Sequence, residues 1–332
     1  MKIALFGSNA LQFNKVYTPA VLDRLRAYGE LSGRIGRKDL AANAAFLAEC
    51  EVAFATWGMP ALTKEEIPRY LPKLKAVFYA AGTVQYFARP FLESGVRVFS
   101  AYAANAVPVA EYAFAQITLA AKGYFQAAKC YRALPLYSLL HANASPGLFG
   151  CKVGLVGLGA IGQAVAEKLQ SLPDVTVMAC DPFVAPERAK ELNVTLVDME
   201  TLFRDCDVIS NHLANKPELK NVFNARLFKL MKPHAVFINT GRGAQVSESA
   251  LALSLLRHPS RTFVGDVIKR EFFPYINPLF WCPNAVLTPH IAGSTGNEPQ
   301  RMAYYMAEEL ERYLAGEPAR YEVTAEMLER MA

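Results

Sequence analysis

The sequence predicts an α/β protein of two domains, each built on a parallel β-sheet flanked by helices. Three observations carry this. The chain has 332 residues, more than one ordinary hydrophobic core organises. Short apolar runs rich in Val, Ile and Phe alternate with amphipathic helical patterns along its length, the signature of βαβ units. And one of those units, residues 151–181, contains a spaced glycine cluster at its strand-to-helix junction.

That unit organises the rest. An apolar run, Val153-Gly-Leu-Val, breaks at Gly157-Leu-Gly159-Ala160-Ile161-Gly162. A helical pattern follows to Leu169, and a second apolar run from Val175 ends on Asp181. Gly157 is read as the tight turn, Gly159 as the point where a pyrophosphate reaches the backbone, and Gly162 as the residue that lets helix and strand lie close. The helix start offers unpaired N–H groups and partial positive charge to phosphates. The acid about twenty residues beyond the last glycine is placed for ribose hydroxyls and would repel a 2′-phosphate, which favours NAD over NADP.

Taken in order, the chain opens with a strand at Met-Lys-Ile-Ala-Leu-Phe-Gly. Thr18-Pro19 starts a helix that Gly29 ends. A strand is expected at Val52 to Thr56, a capping box at Thr63-Lys-Glu-Glu66, a strand at Ala76 to Gly82, a helix near Arg89 to Ser94 and a strand at Val96 to Phe99. A long apolar helix runs from Val107 to Lys122, with Pro108 in its first turn, where proline is tolerated. Residues 124–150 read as an irregular apolar insertion carrying Leu134, Leu136, Tyr137, Leu139 and Leu140, and are expected to form a homodimer contact. From residue 151, six strands are expected, at 153–157, 175–180, 207–211, 235–239, 262–267 and 285–288. A last amphipathic helix, with Met302, Tyr305, Met306, Leu310 and Leu314 on its apolar side, should return to the first domain. The division expected is 1–103 with 297–332 as the substrate domain and 104–296 as the nucleotide domain.

Composition excludes several classes. Hydrophobic content of 52% and charged content of 20% describe a soluble globular chain. No apolar run reaches the roughly eighteen residues of a membrane span, and the start is too short for a signal peptide, so a cytoplasmic location is expected. The six cysteines show no C-x-x-C spacing and are expected to be free thiols; no metal site is expected. The net charge of +5 is dispersed without a basic block, which suits an anionic cofactor and acid substrate and gives nucleic acid no specific support.

Three further segments close late strands, where ligands gather in a sheet of this kind: Asn239-Thr-Gly-Arg242-Gly243, Asp266-Val-Ile-Lys-Arg-Glu271 and Thr288-Pro-His290-Ile-Ala-Gly293. Singly, each has an ordinary explanation as a loop cation, a surface acid or a structural histidine. With the glycine motif and Asp181, and with Asn105, Val109-Ala-Glu111 and His212-Leu213, they resemble the D-isomer specific 2-hydroxyacid dehydrogenases, over nearly the whole chain.

The resemblance implies two Rossmann-like or flavodoxin-like parallel-sheet domains with a cleft between them, and NAD-dependent interconversion of a small D-2-hydroxy acid and its 2-oxo acid. It implies that Arg242 holds the substrate carboxylate and oxo group, that His290 exchanges the proton, and that Glu271 orients the imidazole and stabilises it when charged. Gly82, Thr83 and Val84 correspond to the family's substrate loop. Asp266 would meet the nicotinamide carboxamide, Thr240, Gly241, Ala292 and Gly293 would line the cofactor, and His212-Leu213 would pass the adenosine half. Two departures stand out: Val84-Gln85-Tyr86 where the loop commonly carries an acid, and Phe272-Phe273 where proline commonly follows the glutamate. Trp57 is read either as narrowing the pocket or as a core side chain. An NADH-sensing corepressor-like binding protein and a phosphite dehydrogenase remain as alternatives, whereas Glu271 argues against formate oxidation.

Overall fold

The computed structural model describes residues 1–329; the last three residues of the expected substrate domain lie outside them. The chain divides into two compact units, Met1–Asn105 with Ser294–Ala332, and Ala106–Gly293.

The first unit is a six-stranded sheet of β1 (Lys2–Phe6), β2 (Glu30–Ile35), β3 (Cys50–Ala55), β4 (Ala76–Tyr79), β5 (Arg97–Ser100) and β13 (Glu322–Val323). The spatial order is β13-β5-β4-β3-β1-β2, parallel except for β13, which pairs antiparallel with β5. Without β13 this is the flavodoxin-like order 2-1-3-4-5. Strands β3 and β4 are buried on nearly every residue, as parallel strands covered on both faces must be. Phe54, Phe78 and Phe99 stack across three neighbouring strands at 5.1 and 4.7 Å between ring centroids. The helix Pro299–Leu314 lays Met302, Met306 and Leu310 into this core, while Leu314 faces solvent. Thr63 and Glu66 form the expected capping box, each side chain accepting the other's backbone N–H.

The second unit is an all-parallel sheet of seven strands: β6 (Lys152–Val156), β7 (Thr176–Cys180), β8 (Val194–Leu196), β9 (Val208–Asn211), β10 (Val236–Asn239), β11 (Thr262–Gly265) and β12 (Ala285–Leu287). Their order, β12-β11-β10-β9-β6-β7-β8, is doubly wound about β6. Side chains alternate cleanly between two cores. Val153, Leu155, Val177, Ala179 and Ile238 face one, and Val156, Met178, Ile209, Phe237 and Phe263 face the other, which is rich in aromatic rings.

Three local expectations change. Strands β2, β8 and β13 were not anticipated, so the second sheet has seven strands rather than six. The long helix begins earlier, Tyr102–Ala121, which places Pro108 inside it instead of in the first turn. Residues 124–150 are not irregular but contain two helices, Tyr124–Cys130 and Pro135–Ala144, from which Leu134, Leu136, Tyr137, Leu139 and Leu140 project into solvent. All six cysteines are free, and burial pushes the thiols of Cys50, Cys151 and Cys206 up to about 12, which makes them inert. Among the described residues no helix is long and apolar enough to cross a membrane.

Candidate active site

The glycine motif occupies the turn between β6 and the helix Ala160–Leu169, and each glycine meets a different constraint. Gly157 has φ +91°, a left-handed backbone that a side chain disfavours. A Cβ on Gly159 would meet nothing within 4 Å, so its face is open to an approaching group. A Cβ on Gly162 would collide with the Gly157 carbonyl, so helix and turn are in direct contact. No side chain caps the helix start, which leaves its first N–H groups unclaimed by side chains. Ala160 at that start is exposed and Ile161 half-buried.

Asp181 follows β7 and ties the turn together. Its Oδ2 accepts the Leu158 N–H at 2.7 Å and its Oδ1 accepts those of Phe183 and Val184 at 2.8 and 3.2 Å. Three of the carboxylate's roughly four acceptor sites are thus taken, and the one left, on Oδ2, is open to a hydroxyl. The nearby Arg188 is neutralised by Glu167 and Glu191 and donates to Gln163, so no free guanidinium there awaits a phosphate.

His212 and Leu213 leave the end of β9 directly across from Gly157. The His212 ring is buried, and burial pushes its pKa down to about 4, so it is neutral near pH 7. Its Nδ1 lies 3.4 Å from the Thr240 hydroxyl, while the buried Nε2 finds no partner among the described residues. The open face at Gly159, the uncapped helix start, the free acceptor site of Asp181 and this orphaned nitrogen all suit a dinucleotide seated over the turn.

Beyond β10 the backbone of Arg242 is fixed by buried amides that the sequence reading passed over. Asn211 Nδ2 donates to Asn239 Oδ1 and Gln245 Oε1, both at 2.8 Å. Gln245 Oε1 also accepts the Arg242 N–H at 3.1 Å, and Asn239 Nδ2 donates to the Arg242 carbonyl at 3.3 Å. Thr240 and Gly241 lie buried within this network. The Arg242 guanidinium donates to the Gly241 carbonyl at 2.8 Å, and no carboxylate among the described residues forms an ion pair with it. Burial pushes its pKa down and the Glu271 charge nearby opposes this, so the group stays a cation that has lost part of its water shell. A partly desolvated guanidinium without a counter-ion favours an anionic ligand.

Glu271 and His290 meet beside it. Their side chains approach at 2.9 Å, Oε2 to Nδ1. His290 has φ +56° and Arg270, next to Glu271, has φ +59°, so both loops hold a residue in the left-handed region at a cost of about 1 to 3 kcal/mol each. Asp266 holds the histidine loop. Its Oδ1 accepts from the Thr288 hydroxyl at 2.7 Å and the Ile291 N–H at 2.8 Å, its Oδ2 from the Ala292 N–H at 2.9 Å, and its carbonyl from the His290 N–H at 3.0 Å. The carboxylate expected at the carboxamide is therefore also the anchor of residues 288–292. Gly293 follows with open space where a Cβ would sit.

Gly82, Thr83 and Val84 belong to the first unit, after β4. The Ser100 hydroxyl donates to the Ala81 and Gly82 carbonyls. Thr83 is exposed, whereas Val84 is fully buried, backbone and side chain alike. Trp57 is exposed and is not a core residue.

Comparison with known proteins identifies the family of the chain. Residues 116–292, more than half the chain, match the NAD binding domain of the D-isomer specific 2-hydroxyacid dehydrogenases. The chain is 34% identical over 255 residues to D-3-phosphoglycerate dehydrogenase of Mycobacterium tuberculosis, covering 76% of this chain and 47% of the relative. It is 36% identical over 172 residues to glyoxylate reductase of Thermococcus litoralis, covering 52% and 51%. It spans about half the length of the curated relatives it matches. In fold it is similar to a D-isomer specific 2-hydroxyacid dehydrogenase of Lactobacillus delbrueckii ssp. bulgaricus solved in NAD-complexed form, with a TM-score of 0.77, 21% identity, and 98% and 100% of the two chains covered. With its glycine turn, the acid that closes β7 and the three late-strand segments gathered at one sheet edge, the chain belongs to the D-isomer specific 2-hydroxyacid dehydrogenase family.

Proposed function

We propose that this chain interconverts a small D-2-hydroxy acid and its 2-oxo acid with NAD as the hydride carrier. The observation that carries the reading is the half-buried guanidinium of Arg242, without a carboxylate partner among the described residues, beside the 2.9 Å Glu271–His290 pair. Arg242 binds the substrate carboxylate and polarises the oxo group through its planar fork. His290 gives its Nε2 proton to the oxo oxygen in the reductive direction and takes one back in the oxidative direction. Glu271, an acceptor only, requires the proton of Nδ1 to point at it; this leaves Nε2 for the substrate and stabilises the imidazolium.

Gly157, Gly159, Gly162 and the start of the following helix would hold the pyrophosphate, Asp181 the ribose, His212 and Leu213 the adenosine half, and Thr240, Gly241, Asp266, Ala292 and Gly293 the nicotinamide half. Bound NADH supplies the hydride that C2 of the oxo acid receives. In the first unit, Gly82, Thr83 and Val84 are the candidates for substrate contact that the family resemblance names, and of these Thr83 is exposed. The solvent-facing leucines and tyrosine of residues 134–140 support a homodimer contact, for which sedimentation should show a dimer at micromolar concentration. A panel of 2-oxo acids, glyoxylate and hydroxypyruvate among them, followed by NADH consumption tests the activity. Tight NADH binding without turnover of any member would favour the corepressor-like alternative.

A further inference from the structure

We propose that Glu248 is a positioning residue for the Glu271–His290 pair, acting through a clamp on the peptide units either side of Lys269. This rests on the acid–base reading of His290 for its catalytic meaning, although the clamp itself is a matter of geometry. Glu248 opens the helix Glu248–Arg257 and is buried, an unusual place for a carboxylate that forms no ion pair among the described residues. Its Oε1 accepts the Lys269 backbone N–H at 2.6 Å. Asn277, also buried, donates both to Glu248 and to the Lys269 carbonyl, the latter at 3.2 Å, and its own Oδ1 is fixed by the Leu279 N–H at 3.0 Å. On the other side Gly243 lies so close to the Ile268–Lys269 peptide that a Cβ would collide with it.

Both backbone polar groups of Lys269 are thus held by buried side chains, and the peptide before it is pressed against the residue that follows Arg242. The next residue, Arg270, turns through the left-handed region, and Glu271 then meets His290. An exposed loop with a strained residue keeps one geometry only if its neighbours over-determine it. Glu248 and Asn277 supply that constraint, and Gly243 couples it to the arginine loop. The Glu271 carboxylate is thereby kept at Nδ1 rather than free in solvent.

The test reads the imidazole directly, without substrate or cofactor. In ¹⁵N-histidine-labelled protein at a pH where the ring is neutral, the His290 signals are those lost in His290→Asn. The wild type should show the Nδ1–H tautomer that a carboxylate acceptor imposes. Glu271→Ala should relax it toward the Nε2–H form that free imidazole prefers, and Glu248→Ala should move it the same way. Glu248→Gln should keep the wild-type tautomer, because its amide oxygen still accepts from Lys269. In turnover, Glu248→Ala should lose about tenfold or more in kcat but less than Glu271→Ala. A folded Glu248→Ala protein with the wild-type tautomer overturns the proposal. Should that variant not fold, Asn277→Ala, which releases the Lys269 carbonyl, is expected to show the same relaxation, and its absence overturns the proposal equally. His290→Ala with near wild-type turnover would instead sink the acid–base reading and leave the clamp intact.

Discussion

The two units share one plan, a doubly wound parallel sheet, and use the carboxyl ends of their strands differently. In the first unit that edge is kept by single hydroxyls: Thr56 donates to the Ala80 carbonyl and Ser100 to the carbonyls of Ala81 and Gly82. Behind it stands a column of stacked phenylalanines. In the second unit the same edge buries Asn211, Asn239, Gln245, Glu248 and Asp266, each with several hydrogen bonds. Buried polar groups are costly unless fully paired, and a paired network fixes geometry that apolar packing leaves loose. The difference teaches where precision is needed: around a guanidinium, a carboxylate and an imidazole rather than around a backbone loop.

Substitutions on either side sharpen the contrast. His290→Ala should lose about 10²- to 10⁴-fold in turnover while NADH still binds, as measured by fluorescence titration. Phe78→Ala in the first unit should cost about 3 to 5 kcal/mol in urea unfolding. Arg242→Ala should cost roughly 2 to 5 kcal/mol in kcat/KM, because the substrate charge is left unpaired, with little change in unfolding. If Phe78→Ala instead abolished turnover in protein that remained folded, the division of labour would be wrong.

A pH effect belongs to the second unit. His212 has its folded pKa depressed to about 4 from the ordinary 6.5, so between these values the unfolded chain binds more protons than the folded one. Stability is therefore fully present above about 6.5 and falls as pH drops toward 4, by roughly 3 kcal/mol at most. His141, depressed by burial and by its neighbour His234, acts in the same direction. Urea melts across this range should show the loss, and His212→Gln should flatten it. The smallest effect is expected for Gln245→Leu, about 1 to 3 kcal/mol in stability with a raised KM for the oxo acid, since the Arg242 and Asn211 donors lose their acceptor.

The family of the second unit was legible because its motifs combine several constraints in few residues: three glycines at fixed spacing, an acid closing the next strand, and charged residues ending apolar runs. The network that supports them was less legible. Asn211 and Gln245 are lone polar residues at strand ends, and nothing in spacing pairs two amides about thirty residues apart until the strands lie side by side. Glu248 reads as an ordinary acid in a helix's first turn. Strand β2 was missed because an edge strand, Glu-Leu-Ser-Gly-Arg-Ile, is half solvated and weakly patterned, and β8 and β13 are too short to show a period. Pro108 marked a helix start that tertiary packing overrode, since the apolar stretch from Ala101 extends the helix by more than a turn on its N-terminal side.

The central claim is that the Glu271–His290 pair moves a proton while Arg242 holds an oxo acid over a bound nicotinamide. The most direct measurement is NADH consumption by the wild-type chain with small 2-oxo acids, set beside NADH affinity. The account predicts turnover with at least one small oxo acid, unaltered NADH binding in His290→Ala, and loss of nearly all turnover in that variant. Undiminished turnover in His290→Ala, or tight NADH binding with no oxidation by any oxo acid, would contradict it.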